Sequence, residues 1–341
     1  MAASNLTLVL PPRLLSPPDN AQFISWLDEN SKSLVNLRRL LTRGEHQLFD
    51  SHEILLAELF GLPYTNTHEL PLAAIEAMGS GFDAATGYWL HAEPVHLHPD
   101  LDHVLLFDSS SLLLEKTELG QLIDELQVLF EESRLVPKFG KQHTLFIRLD
   151  DKPQVSFTAL QEVVGKNILQ HLPEGQDAAQ WRLLQNEIQM QMTQSTVNQL
   201  REERGAMTVN GLWFWGEGYL LRARYPRCYE TVFTRQLFAS GLATMTDAVV
   251  EQELVDFDAI HLEQKTLAVI DSPEKPLAAR LDCLLALEQQ WLAPALLAIK
   301  KGQLASLTLV AGKTKIDFTK QQQKHFWKRG ISSTTIASLL S

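Results

Sequence analysis

Three groups of residues in this 341-residue chain have the types and spacing to do chemistry. The first lies in Ser195–Gly218, STVNQLREERGAMTVNGLWFWGEG, where Asn198, Arg201 and Asn210 stand in or beside an apolar, aromatic run. An amide and a guanidinium near a strand's mouth can hold an anionic small molecule, because arginine offers a planar fork to carboxylate or phosphate. The same side chains can instead bond local backbone, with Arg201 on a wet helix face. The second group is Arg222, Arg224, Arg227 and Arg235, a basic cluster in an acidic protein that can collect phosphate or an acidic partner. The third is His96, His98 and Asp100, which an extended strand points to one face, a donor set that suits a divalent transition metal. A His-rich solvated strand is the alternative there.

The elements that must position these groups follow from periodicity and punctuation. Thr196 to Glu203 reads as a helix closed by Gly205, and Val209 to Trp215 as a buried strand that Gly216-Glu217-Gly218 ends with a turn. Leu6–Leu10 reads as a buried strand stopped by Pro11-Pro12, with helical patterns at 20–29 and 31–43 and Gly44 as a C-cap. Asp50 and Glu53 have the spacing of a capping box. Pro94 and Pro99 bracket the His-rich strand, as expected of a domain entry or an edge strand. Strands are expected at Val104–Asp108 and Gln142–Leu149, and helices at Thr117–Glu132, Thr158–Leu172 and Asp177–Met192. Leu267–Asp271 is a buried-type strand ending in a carboxylate, and a long helix, Leu277–Lys300, has Pro294 as a kink or restart.

Length favours two domains, or one large domain with an insertion. A net charge of −11 argues against a general nucleic-acid or acidic-membrane binder, whose footprint would be basic. Cys228 and Cys283 are the only cysteines, so neither a disulfide framework nor a thiolate zinc site is expected. Leu6–Leu10 is too short for a signal segment and no apolar run approaches the roughly 18 residues of a membrane span, so the expected compartment is the cytoplasm.

The pattern Asn198-x-x-Arg201-x-x-x-Gly205-x-x-x-x-Asn210-x-x-Trp213-x-x-Gly216-x-Gly218 resembles a segment of the archaeal-type, cofactor-independent phosphoglycerate mutases of the alkaline phosphatase superfamily. The family motif usually opens with His-Pro where Ser195 and Thr196 stand. The Trp-rich form is closest to the degenerate bacterial branch described as Rpf-type regulatory proteins. Asp50 to Gly61 resembles the family segment that carries the serine nucleophile at a helix N-terminus, which puts Ser51 at that position. Leu70–Gly81 and Gly241-Leu242-Ala243 continue the likeness. The resemblance implies an α/β fold, an alkaline phosphatase-like three-layer core with an inserted smaller α/β domain. The expected parts are 1–90 and 216–341 for the core and 91–215 for the insertion. Tyr88-Trp89 and Trp213–Trp215 would then be two adjacent strands.

Departures from the family pattern set the functional expectation. Where the family has metal ligands, this chain has Pro11 and Pro12 after the first strand, Lys275 four residues after Asp271, and Gly312-Lys313 after the strand ending at Ala311. Only Asp271 keeps a suitable ligand, and His325 is the match to a further family His. Two metal ions activate the serine in this superfamily, so no catalytic residue and no cofactor are expected, and Lys275 and Lys313 would fill the vacated sites with ammonium groups. The expected protein is a bacterial, cytoplasmic pseudoenzyme with a regulatory or ligand-binding role. Its ligand-binding residues would be Asn198, Arg201, Asn210, Arg222 and Arg224, and its partner a phosphorylated small molecule or a protein. The alternative is an active, metal-dependent mutase or phosphatase with manganese or zinc held at His91, His96 or His98. A weaker option is a protein-binding module using the basic segment Lys313–Arg329, with Lys324, Lys328 and Arg329 in contact.

Overall fold

The structure, a computed structural model, describes residues 4–10, 20–221, 223–252, 256–270, 277–324 and 330–340. Pro11, Pro12, Arg222, Asp271, Lys275, His325, Lys328 and Arg329 lie outside the described residues. The chain forms two compact units, one from residues 1–67 and 223–341 and one from 68–222. The boundaries expected at 90/91 and 215/216 fall inside two long strands, because those strands belong to the sheet of the second unit along their whole length.

In chain order the first unit opens with β1 (Ser4–Leu10), α1 (Asn20–Glu29), α2 (Val35–Arg43), β2 (Glu45–Leu48) and α3 (His52–Leu59). The second unit contributes α4 (Leu72–Ser80), β3 (Tyr88–Asp100), β4 (His103–Phe107), α5 (Lys116–Glu125), α6 (Gln127–Glu132), β5 (Val136–Phe139) and β6 (Leu145–Leu149). It continues with a short ribbon of β7 (Val155–Ser156) and β8 (Glu174–Gly175), then α7 (Ala178–Thr193), α8 (Thr196–Glu203) and β9 (Gly211–Gly218). The chain then completes the first unit with β10 (Thr231–Phe233), α9 (Leu237–Met245), β11 (Val249–Glu251), β12 (Thr266–Val269) and α10 (Leu277–Leu287). A π-helical turn (Glu288–Leu292), α11 (Ala293–Lys301), β13 (Leu304–Ala311), β14 (Thr314–Thr319) and α12 (Ser333–Leu340) follow.

The first unit is built on a seven-stranded sheet, β11-β10-β12-β1-β13-β14-β2, parallel from β11 to β13 and antiparallel at β14 and β2. β1 is buried from Leu6 to Leu10 because both its faces are covered there, as a central parallel strand requires. Leu6, Leu8 and Leu10 join Leu307, Leu309, Ile316 and Phe318 in a core shared with the helices α1, α2, α10 and α11. Each such fully buried side chain contributes about 1.5–3 kcal/mol. The opposite face carries Thr7, whose hydroxyl meets the Tyr229 hydroxyl at 3.2 Å, and Tyr229 packs on Phe60 just after α3.

The second unit is an antiparallel sheet, β4-β3-β6-β5, with β9 paired to β3. The pairing of His91 with Trp215 and Glu93 with Trp213 makes the two aromatic stretches neighbours, as expected. Gly216 does not begin a turn: β9 runs on to Gly218 through a bulge, because Trp89 pairs with Gly218 while His91 pairs with Trp215. Gly216 has φ +68°, and a Cβ there would lie 3.1 Å from the His91 ring, so only glycine sits there without strain. Leu90, Ala92 and Phe214 pack against Leu122 of α5 and Trp181 and Ile188 of α7 on one face. Val95 and Trp213 pack against Leu160, Val163 and Ile168 on the other.

Thr158–Leu172 is not the helix its pattern predicts, and forms two single turns instead. Gly165 takes φ +71° and its N–H bonds the Leu106 carbonyl, so this segment closes the edge of β4, which a continuous helix would leave bare. The expected Thr117–Glu132 helix breaks into α5 and α6 at Leu126, where the backbone leaves helical geometry.

Candidate functional site

The motif at Ser195–Gly218 is brought together in space, but around its own backbone. Ser195 caps α8, its hydroxyl accepting from the Val197 N–H at 3.1 Å. Asn198 is buried at 2% exposure. Its Nδ2 donates to the carbonyls of Met192 (2.6 Å) and Val209 (2.7 Å), and its Oδ1 accepts from the Val209 N–H (2.8 Å). One amide thus bolts the end of α7 to the approach of β9. Asn210 does the same at the sheet edge: Oδ1 accepts from the Leu97 N–H at 2.7 Å and Nδ2 donates to the Leu97 carbonyl at 2.9 Å.

Arg201 is 0% exposed. Its guanidinium donates to the carbonyls of Met207 and Leu112 and to Glu118 Oε2 at 2.7 Å. Arg204 meets the other oxygen of the same carboxylate. Burial opposes the charge on Glu118, but the Glu115 N–H and the two arginines outweigh it and hold this carboxyl below the usual range. Glu118, 83 residues away in sequence, is the residue that sequence reasoning missed; its local spacing to Glu115 marks a capping box and nothing marks the long-range pair. The expectation that Asn198, Arg201 and Asn210 bind a ligand is therefore corrected: their polar atoms serve internal backbone and the Glu118 carboxylate, and a solvent-borne anion has no access to Arg201.

Arg224 is exposed, Arg227 donates to the carbonyls of Tyr229 and Glu230, and Arg235 donates to that of Gln252. The His-rich strand keeps His96 and His98 on one face with ring centroids 5.9 Å apart, and His96 Nδ1 meets the Thr208 carbonyl at 2.9 Å. Burial lowers the His96 pKa, and His98 beside it adds to that. His91 lies five residues away on β3 and so on the other face. There it stacks on Trp215 at 4.6 Å with Glu76 3.3 Å from its Nε2. Among the described residues no group of three or more His, Cys, Asp or Glu side chains can hold a metal ion.

Ser51 stands at the N-cap of α3, and its hydroxyl accepts from the Ile54 N–H at 3.1 Å. Ser51 is thus the cap that the sequence reading assigned to Asp50, and the box with Glu53 does not form. Next to it, His52 Nδ1 bonds the Gly312 carbonyl at 2.9 Å, and the Phe49 N–H bonds the Lys313 carbonyl at 2.9 Å. Gly312, at φ +55°, and Lys313 form the two-residue turn of a hairpin in which Ala311 pairs with Thr314. The Lys313 side chain is exposed. Where the resemblance places a carboxylate and an imidazole, the chain has a tight turn with neither, so the described residues here do not fit a two-metal centre.

Two cavities, of about 460 Å³ in the second unit and about 260 Å³ in the first, are lined by none of Ser51, Asn198, Arg201, Asn210 or Arg224.

No family model matches the chain. Over 126 residues, 36% of its length, it is 27% identical to a probable 2,3-bisphosphoglycerate-independent phosphoglycerate mutase of Geobacter sulfurreducens, and the match spans 31% of that relative. A solved cofactor-independent phosphoglycerate mutase from Thermoplasma acidophilum superposes with a TM-score of 0.51 at 13% identity, covering 99% of this chain and 98% of that one. The PH0037 protein from Pyrococcus horikoshii gives 0.58 at 11% identity, covering 98% and 92%. The fold is therefore the α/β fold of the phosphoglycerate mutases, the alkaline phosphatase-like type. No described helix is long and apolar enough to cross a membrane.

Proposed function

We propose that this chain is a catalytically degenerate relative of the phosphoglycerate mutases, of the Rpf-type bacterial branch, acting in the cytoplasm as a regulatory or ligand-binding protein. The observation that carries this reading is the Gly312-Lys313 turn. In-line phosphoryl transfer by two metal ions needs a cage of carboxylates and imidazoles that activates the nucleophile and neutralises the transferred group. At the end of β13 the chain instead turns back at once, and the turn's carbonyl holds His52 beside the serine position. The Ser51 hydroxyl accepts the Ile54 N–H. A hydroxyl so placed is a helix cap, and without a base or a metal it remains a poor nucleophile.

The partner in this reading is a phosphorylated small molecule or a protein. Because Asn198, Arg201 and Asn210 are engaged inside their own unit, recognition falls to groups elsewhere. The test is conversion of 3-phosphoglycerate by purified protein supplied in turn with manganese, magnesium and zinc. The expected outcome is no 2-phosphoglycerate above the blank with any ion. Turnover that Ser51→Ala abolishes would overturn the reading.

A further inference from the structure

The second unit holds a cavity of about 460 Å³, within the size range of small-molecule sites. Three separate stretches of chain wall it: residues 133–135 after α6, residues 149–153 leaving β6, and one stripe of α7. On that stripe Trp181, Leu184 and Glu187 follow at three-residue intervals, which the helical period brings to one face. Trp181 is 5% exposed and Leu184 6%, so the two give the cavity an apolar floor. Phe157 and Phe214 pack edge-on with the Trp181 ring at centroid distances of 4.9 and 5.1 Å, which fixes the floor before any ligand arrives. The Trp181 indole N–H has no hydrogen-bond partner among the described residues, although such a group usually finds one when its ring is buried.

Arg134 enters this wall from an unusual backbone position. Its N–H bonds the Glu131 carbonyl at 3.1 Å and the Leu135 N–H bonds the Phe130 carbonyl at 2.8 Å, the two bonds of a Schellman motif that ends α6. Arg134 takes φ +57° there, where glycine is the usual choice and any side chain is disfavoured. A strained position that keeps a long side chain points to a use for that side chain. Charges of both signs line the cavity, and half of them are engaged. Asp150 pairs with Arg148 at 2.8 Å, Asp177 accepts the Gln154 N–H at 2.6 Å, and Lys152 acts on the Glu217 carboxylate. The side chains of Arg134, Asp151 and Glu187 have no hydrogen-bond or ion-pair partner among the described residues. One guanidinium and two carboxylates thus border the same space without pairing. An anion alone would meet the carboxylates and a cation alone would meet Arg134, whereas a molecule carrying both charges meets each with its opposite.

We infer that this cavity binds a zwitterionic small molecule, an α-amino acid with an apolar side chain. Its carboxylate meets Arg134, its ammonium meets Asp151 and Glu187, and its side chain lies over Trp181 and Leu184. The arginine fork matches a carboxylate bidentately, which suits it to the acid end. A dry cavity of about 150 Å³ holds a benzene ring, so this one has room for an aromatic body and its charged head. The inference is independent of whether the chain catalyses phosphoryl transfer, since it uses neither Ser51 nor the β13 turn.

The experiment is equilibrium dialysis of the full chain against radiolabelled L-phenylalanine and L-leucine. The competitors are 3-phenylpropionate, which lacks the ammonium, and 2-phenylethylamine, which lacks the carboxylate. At least one amino acid should bind with a dissociation constant below about 1 mM, and each competitor should be at least about tenfold weaker than phenylalanine. Arg134→Gly should weaken the amino acid at least about tenfold. Its unliganded melting temperature should stay at or above that of wild type, because glycine relieves the left-handed position. Asp151→Asn combined with Glu187→Gln should weaken the amino acid without weakening 3-phenylpropionate. Retention of neither amino acid below about 1 mM would overturn the inference. So would a competitor that binds as well as phenylalanine, or binding that survives Arg134→Gly or the double substitution.

Discussion

Asn198 and Arg201 show how a polar side chain in an apolar run can be structural. Asn198 makes three backbone partnerships at one point, and Asn198→Ala leaves the Val209 carbonyl and N–H without theirs, while the Met192 carbonyl keeps the Ser195 N–H at 3.1 Å. Each such orphan costs about 1 kcal/mol or more, and the expected loss is about 2 kcal/mol, read in the urea midpoint and in faster hydrogen exchange at the Val209 N–H. An unchanged midpoint would contradict the structural role. Glu118 sets a pH signature of its own. A carboxyl held below its unfolded value, about 4.3, adds stability that is fully present above that pH and is lost as pH falls through the folded value. The stability gap between wild type and Glu118→Gln should therefore be wide at pH 7 and shrink below about pH 4; a gap constant with pH would contradict it. The carboxyl of Glu93 runs the other way: burial pushes it up, helped by Asp108 and opposed by Ser109 and His91. Its contribution is present at low pH and lost as pH rises above about 4.3, so Glu93→Gln should be more stable than wild type at neutral pH.

At the scale of elements, the π-helical turn between α10 and α11 has an identifiable cause. Pro294, in the first turn of α11, has no N–H to continue the ladder, and its ring clashes with the carbonyl four residues back. The widened turn at Glu288–Leu292 absorbs that clash. It also holds Glu288, 5% exposed, against the start of α2, whose own N-cap Leu34 has no capping side chain. Glu288 Oε1 accepts from the Asn36 N–H at 2.7 Å and Oε2 from the Leu37 N–H at 2.8 Å. This is a helix cap supplied from 252 residues away. Glu288→Ala should cost about 2 kcal/mol, at the high end for a cap because the bond to the Leu37 amide is buried; a cost below about 0.5 kcal/mol would contradict the assignment. Strong local signals were legible: the bounds of α8 follow from its period and Gly205, whereas β9 starts two residues later than the Val209–Trp215 pattern and runs on through Gly216. Thr158–Leu172 was not, because the need of the β4 edge for a cover is a tertiary demand that overrides a helical period.

At the scale of the whole molecule, the order of elements was legible in the sequence, and its likeness to the phosphoglycerate mutases is matched in the fold. The candidate site was legible only in part. Spacing can place Asn198, Arg201 and Asn210 in one neighbourhood, but it cannot say whether an amide there meets a ligand or a backbone carbonyl. The partner of Arg201 is Glu118, at a separation no local pattern encodes. The cavity walled by α7 and residues 133–135 and 149–153 was invisible for the same reason, since its three walls are sequence neighbours only within each wall. We propose that the mutase architecture is kept while the metal-dependent chemistry is lost. The most direct test is the metal content of the purified protein by elemental analysis, after incubation with manganese, zinc and magnesium and removal of free ion. The account predicts retained metal far below one ion per chain and no thermal shift; one or two ions held tightly per chain would contradict it.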